Sequence, residues 1–507
     1  MTQKTAEMLQ TVQQTLTTAQ KYEHACHVLN FDLETICPPK AMEQQGDLIA
    51  YLSNEGFKLK KDPAFIEAGE YLYAHRDELE EADAVLARQL HREYLHTKNI
   101  TPEKMHSFST VMNRAYVRWI EAKQASDFSL FAPSLREVLA VNREEVSLRE
   151  PEDPSAPAAS VYDQLLDDYE RGITTEDLDA LFGACKERLL PLMKQILASP
   201  KKIRTDFLSR KVTDEAQERM ARYLLDVLQY DLQRGAFTTT EHPFTDWMAP
   251  NDVRITTHYH EDAFASSMYS IIHETGHALF EMLQPKEDWE HFIDSGKTMA
   301  MHESVSRFYE NRIGRSEAFV HRIYPGVCEI FPEVMRDVSE RELYEALNVV
   351  QPSLIRTEAD EFTYTFHIII RYEIEKALVS GEGSIDDVPR LWNEKYREYL
   401  GIEPENDRTG CLQDVHWSSG FGYFPTYAVG NMYNAMYYNR LKNELDLDQV
   451  VSSGDFAALN GWMAENIFRR ANRLAPHEWI REITGRELTA DDFLDYLETK
   501  YRDLYEI

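Results

Sequence analysis

Apolar residues recur at three- and four-residue intervals over most of this chain, and that spacing demands helices that each bury one stripe against a neighbour. From Thr5 to about Leu148 the sequence is rich in Gln, Glu, Leu and Ala, as in EADAVLARQLHREYLHTKN and VMNRAYVRWIEAKQAS, which reads as a long helical array. Helical spacing returns at Asp262 and persists to the end, through FASSMYSIIHETGHALFEML, ADEFTYTFHIIIRYEIEKAL and FLDYLETKYRDLY. Two stretches interrupt it. REPEDPSAPAAS, Arg149 to Ser160, sets three prolines among small residues and reads as a loop, followed by a helix, a turn at Gly172 and a new helix capped near Thr174 or Thr175. Between Gly235 and His260, AFTTT and VRITTHY are β-branched and aromatic and flank a Pro250-Asn251-Asp252 turn, which predicts a small hairpin or sheet. RITTHY then is either an edge strand, open to an added peptide strand, or an interior strand paired on both sides. With no strong linker in view, residues 1–507 read as one large, mostly α unit carrying a small β element at about 235–260.

Charge narrows the possible partners. The chain has 87 acidic against 54 basic residues, a formal net charge of -33, whereas binding to phosphate backbones or anionic bilayers runs on clustered Lys and Arg. Nucleic acid and membrane surfaces are therefore not expected as partners. The five cysteines, at 26, 37, 185, 328 and 411, are scattered and form no C-x-x-C pair, a pattern of reduced thiols rather than of a disulfide framework. The start MTQKTAEMLQTVQQ has no apolar segment behind a basic one, and no run approaches 18 apolar residues, so the expected compartment is the cytoplasm.

Chemistry concentrates in YSIIHETGHALF, Tyr269 to Phe280. His273 and His277 are four apart, which on a helix sets both imidazoles on one face, where they can share a metal ion with Glu274 alongside. Gly276 in a helix interior costs about 1 kcal/mol and asks for a packing reason. A catalytic zinc takes three protein ligands and keeps one position free. The residues after His277 offer no third histidine at x-x-G-x-x-H spacing, so the third ligand must come from another element, and MAMHESVSRFYENR offers Glu303. Glu287, Glu290 and Asp294 are nearer in sequence but lie in a polar connecting segment, and His302 points to a different helix face from Glu303. The groups that orient the two histidines are not legible here, with Asp360 and Glu361 as possible partners.

Six motifs in order then carry a resemblance: HPF at 242–244, DVRIT at 252–256, HETGH at 273–277, HES at 302–304, IRTEAD at 355–360 and GCLQDVHW at 410–417. Together with YDQLLDDYERGIT, LWNEKYREYLGI and GYFPTY, they look like the signature set of the carboxypeptidase Taq family of metallocarboxypeptidases, densely over about 160–430. One departure is Val305, where the family usually has Gln. The resemblance implies a mostly α, two-lobed helical metallopeptidase fold around a deep groove, similar to the neurolysin and angiotensin-converting-enzyme architecture. It also implies a zinc-dependent exopeptidase, often accepting cobalt, that removes C-terminal residues with broad specificity, usually as a homodimer.

On that reading His273, His277 and Glu303 hold one zinc ion, and Glu274 takes a proton from the attacking water and passes it to the leaving amine. Attack on a carbonyl creates an oxyanion, for which His416 and Tyr423 in HWSSGFGYFPTY are the expected donors. A free C-terminal carboxylate calls for a guanidinium, with Arg356 preferred over Arg254. Gln413 and His242 are further substrate contacts. A zinc oligoendopeptidase or dipeptidase, or a non-catalytic helical peptide-binding protein, is the alternative.

Overall fold

A computed structural model describes residues 1–294 and 296–507. It is mostly helical, and one three-stranded sheet is the only sheet among the described residues. The expected loop at 149–160 separates the helices Ala132–Ser147 and Val161–Asp167. After the turn at Gly172, whose φ is +84°, Thr174 starts the helix Thr175–Ala198 with a reciprocal cap, its hydroxyl accepting from the Asp177 amide while Asp177 accepts from the Thr174 amide.

Two apolar clusters hold the chain together. A small one joins Leu9, Val12 and Leu16 of the first helix, Gln3–Thr35, to Phe65, Leu72 and Leu86 of the next helices, with Ile293 reaching in from far along the chain. The large one runs from Ala115 to Tyr505 and encloses both helices that carry the HETGH and HES motifs. Val305 is fully buried inside it, so this departure from the family pattern sits in apolar packing.

The sheet has strands β1 (Gly235–Thr239), β2 (Thr245–Ala249) and β3 (Asp252–Thr257) in the order β1-β3-β2. β2 and β3 form the antiparallel hairpin expected across Pro250 and Asn251, and β1 joins β3 in parallel. RITTHY therefore opens with the central strand, whose ladder is paired on both sides and has no free edge for a peptide. The outer side of β2 faces the first helix, where His24 Nδ1 lies 3.1 Å from the Met248 carbonyl and His27 Nδ1 2.7 Å from Asp246. Val253 and Ile255 alternate inward, which fixes the register of the hairpin beneath the helix Phe264–Met282.

Candidate functional site

His273, Glu274 and His277 lie on Phe264–Met282, and Glu303 lies on Met299–Arg307. Glu303 Oε2 is 3.7 Å from His273 Nε2 and 3.6 Å from His277 Nε2. One ligand atom from each of the three residues falls within 4.8 Å of the others. A tetrahedral cation with bonds of about 2.0–2.1 Å holds its ligand atoms about 3.3–3.4 Å apart, so the donor set fits such an ion after a small closure.

Close helix packing produces this convergence. A Cβ on Gly276 would come within 2.7 Å of Ser306 Cα, and one on Gly430, in the helix Pro425–Glu444, would meet the Ser304 amide at 3.0 Å. The short helix that presents Glu303 is thus clasped between two glycine contacts. Tyr437 adds a hydroxyl bond of 2.7 Å to the Ser304 carbonyl.

The far side of each of these three side chains is held as well. His273 Nδ1 is 2.8 Å from Glu310 Oε2. A carboxylate only accepts, so Nδ1 donates here and Nε2 is the nitrogen turned toward a metal. Glu310 reaches back because the chain widens after Arg307 into a π turn, Phe308–Ile313. His302 Nε2 donates to Glu281 Oε1 at 2.6 Å, which leaves its Nδ1 to accept from His277 Nδ1 at 2.8 Å. Lys297 closes that chain 3.1 Å from Glu281. Asp360 and Glu361, the partners sequence suggested, do other work. Asp360 accepts from the Thr363 amide, and Glu361 pairs with Arg312 and Lys500.

Glu303 itself is steadied by Arg307, which donates to Oε1 at 2.7 Å and stacks on Tyr364. Burial lowers the basicity of His273, but the carboxylates of Glu303 and Glu310 outweigh it and push the imidazole up to about 9, the mark of a site that favours positive charge. Burial, with His273, His302 and Arg307 nearby, keeps His277 neutral. Glu274 is raised above the usual carboxylate range, chiefly by burial, and its Oε2 accepts from Thr245 Oγ1 at 2.6 Å.

Arg356 lies along the same wall. It donates to Asp414 at 2.9 Å and to the Tyr364 hydroxyl at 3.0 Å, so Tyr364 joins it to the Arg307 that steadies Glu303. Asp414 also accepts from the fully buried Arg371 at 2.7 Å. His416 packs 5.2 Å from Tyr423, ring to ring, with Nε2 3.2 Å from the Tyr427 hydroxyl and a buried Nδ1 that has no hydrogen-bond partner among the described residues. Burial, which outweighs Asp414, holds His416 down to about 4, so it is neutral at pH 7 and the cluster of Arg356, Arg371, Asp414 and His416 keeps one positive charge in excess.

Sequence comparison decides what this constellation belongs to. Residues 11–501 match the model of the carboxypeptidase Taq (M32) metallopeptidases. The chain belongs to that family. It is similar to carboxypeptidase 1 of Bacillus subtilis, 37% identical over 486 residues and 96% of each chain. It is also similar to thermostable carboxypeptidase 1 of Thermus thermophilus, 38% identical over 483 residues and 94% of each. The M32 carboxypeptidase of Deinococcus radiodurans has the same fold, with a TM-score of 0.94 at 31% identity, over 99% of this chain and 100% of that one. As an M32 metallocarboxypeptidase the protein is a hydrolase of peptide bonds that uses a metal ion, and the mostly helical fold with one small sheet is the family's.

The M32 chain brings Arg356, Gln413, His416 and Tyr423 together, whereas Arg254 and His242 stand apart. Arg254 is bidentate to Asp252 and lies over the Phe31 ring, and His242 is exposed in the loop between β1 and β2. The Gln413 amide is spent inside the protein: its oxygen accepts from the Arg356 amide and from Arg371, and its nitrogen donates to the Leu354 and Thr409 carbonyls. It supports Arg356 and leaves no group free for a substrate.

Sequence reasoning missed Glu310, Thr245, Tyr364, Asp414 and Tyr427. Four of these left a signal, with Asp414 inside GCLQDVHW and Tyr427 closing GYFPTY. Glu310 is seven residues after Glu303, two helical turns along one face, and Thr245 directly follows HPF.

Proposed function

We propose that the protein binds one zinc ion, replaceable by cobalt, on His273, His277 and Glu303, and uses it to remove single residues from the free C-terminus of peptides with broad specificity. The convergence of two imidazole Nε2 atoms and one carboxylate oxygen, each backed by its own partner, carries this reading. The ion supplies Lewis acidity toward a water and the scissile carbonyl. Glu274, aimed by Thr245, accepts the proton of the attacking water and delivers it to the departing amine.

Arg356 orients the terminal carboxylate of the substrate. Its support is the surplus positive charge left when one carboxylate, Asp414, is shared between two guanidiniums. His416, Tyr423 and the adjacent Tyr427 furnish donors for the oxyanion. Arg254 and His242 contact the peptide farther from its end. The chain acts as one catalytic domain of two helical lobes around a groove, which the two separate apolar clusters favour, and it works as a homodimer on cytoplasmic peptides. Among the described residues no helix is long and apolar enough to cross a membrane, and all five cysteines are free.

The test pairs a free-acid peptide with its C-terminally amidated twin, with zinc or cobalt added. Stepwise release from the free acid alone is expected, and Glu274→Gln should lose turnover by orders of magnitude with its metal content intact. Equal cleavage of both peptides would replace the exopeptidase reading with that of an oligoendopeptidase.

A further inference from the structure

Glu375 sits on the helix Tyr364–Ser380, fully buried, and among the described residues it makes no ion pair. Three neutral donors converge on it instead. The Trp417 indole donates to Oε1 at 2.8 Å, and the Gly422 backbone amide and the Tyr162 hydroxyl donate to Oε2 at 3.1 and 2.9 Å. A carboxylate without a cation in a dry interior is costly to keep and needs such donors to stay.

Two of those donors have a telling position. Trp417 is the neighbour of His416 and Gly422 the neighbour of Tyr423. The backbone between them is irregular, a single 3-10 turn His416–Ser418 and then a loop ahead of the helix Pro425–Glu444. The loop's own hydrogen bonds are local, such as the Ser418 amide to the Val415 carbonyl and the Ser419 amide to the His416 carbonyl, whereas one carboxylate on a helix accepts from both of its ends. The third donor, Tyr162, lies outside the loop, on the helix Val161–Asp167 that packs against Gly422 through Leu165.

We infer that Glu375 is a positioning residue of the peptidase reaction, holding His416 and Tyr423 in register with each other and with the metal ligands. The inference rests on the proposed roles of those two residues. Its consequence is that disturbing Glu375 acts on the transition state, where the oxyanion donors matter, more than on substrate binding or on the metal.

The experiment uses the metal-loaded full-length protein and a free-acid peptide. Glu375→Gln keeps the shape but offers one acceptor oxygen to three donors. We expect kcat to fall about 10- to 100-fold, a fraction of what positioned proton donors contribute, with KM within about twofold and metal content unchanged. Trp417→Phe should lower kcat as well, and the double variant should be no slower than Glu375→Gln alone, because both break the same link. Tyr162→Phe removes a donor outside the loop and should leave kcat in place. Wild-type kcat in Glu375→Gln, multiplying losses in the double variant, or equal losses in Trp417→Phe and Tyr162→Phe would each overturn the inference. If Glu375→Gln does not fold, the contrast between Trp417→Phe and Tyr162→Phe decides alone. His416→Ala and Tyr423→Phe, assayed alongside, separate this inference from the reading beneath it: full activity in both defeats the proposed donors, whereas losses there with none in Glu375→Gln defeat only the positioning role.

Discussion

Replacing Gly276 with alanine adds one methyl group where the helix of His273 and His277 packs tightly on the helix of Glu303. That carbon would stand 2.7 Å from Ser306 Cα and 3.1 Å from the Val305 carbonyl oxygen. Ordinary carbon contacts lie at about 3.5–4.0 Å, so the helices must part by about 1 Å, and the atoms in the way are backbone that cannot rotate aside. Ser306 is three residues from Glu303, which moves with it, and the 3.6–3.7 Å separations between Glu303 and the two histidines widen in step. Metal bonds tolerate departures of about 0.2 Å. Zinc affinity should therefore fall at least 10- to 100-fold, the range seen when supporting groups of such sites are removed. Overpacking costs about 1–3 kcal/mol, of which the better helix propensity of alanine returns about 1 kcal/mol, so the metal-free protein should lose roughly 0–2 kcal/mol. Zinc titration of the stripped variant against a competing chelator, beside a thermal melt, measures both quantities. A variant that binds zinc as tightly as wild type and melts higher would show that the helices do not set the site.

Glu310→Gln leaves His273 Nδ1 a neutral acceptor, and zinc affinity should drop about 10- to 100-fold with the fold intact, read by the same titration. Thr245→Val strips the hydroxyl that aims Glu274, so kcat should fall about 10-fold or more at constant metal content; an unchanged kcat would remove Thr245 from the site. Asp414→Asn leaves the buried Arg356 and Arg371 unneutralised and should cost about 3–5 kcal/mol at pH 7 by denaturant unfolding. Burial works against the charged form of Asp414, but Arg356 and Arg371 outweigh it and hold the carboxyl far below the usual range. A group depressed in this way contributes stability in full above its unfolded pKa of about 3.9 and loses it as pH falls below that value. The stability difference between wild type and Asp414→Asn should accordingly shrink in acid, and a difference that grows there would contradict the pairing.

Local signals made a group able to hold a metal readable before any coordinates. His273 and His277 share a helix face by spacing alone, and Glu303 was the acid on the next amphipathic helix once the connecting segment was set aside as polar. The same logic failed for Asp360 and Glu361, which looked available because nothing in a linear motif reports a partner such as the Gln351 amide or Lys500. It also failed for Gln413, whose amide is consumed by the Arg356 backbone amide, the Arg371 guanidinium and the Leu354, Thr409 and Gly410 carbonyls. The central position of β3 followed from a parallel pairing with β1, which no hairpin pattern announces.

The amino-acid sequence alone determined the helices, the place of the small sheet, the family and the identity of the groups able to hold a metal, because each of these depends on residue type and on spacing within one element. Only the tertiary structure decided which partners fix the two histidines, that Asp414 is shared between Arg356 and Arg371, and that one buried carboxylate ties both ends of the His416–Tyr423 loop. Those contacts join residues tens to hundreds of positions apart. They exist because helices packed glycine to backbone bring distant polar groups into a dry interior, where each must find a partner or be lost.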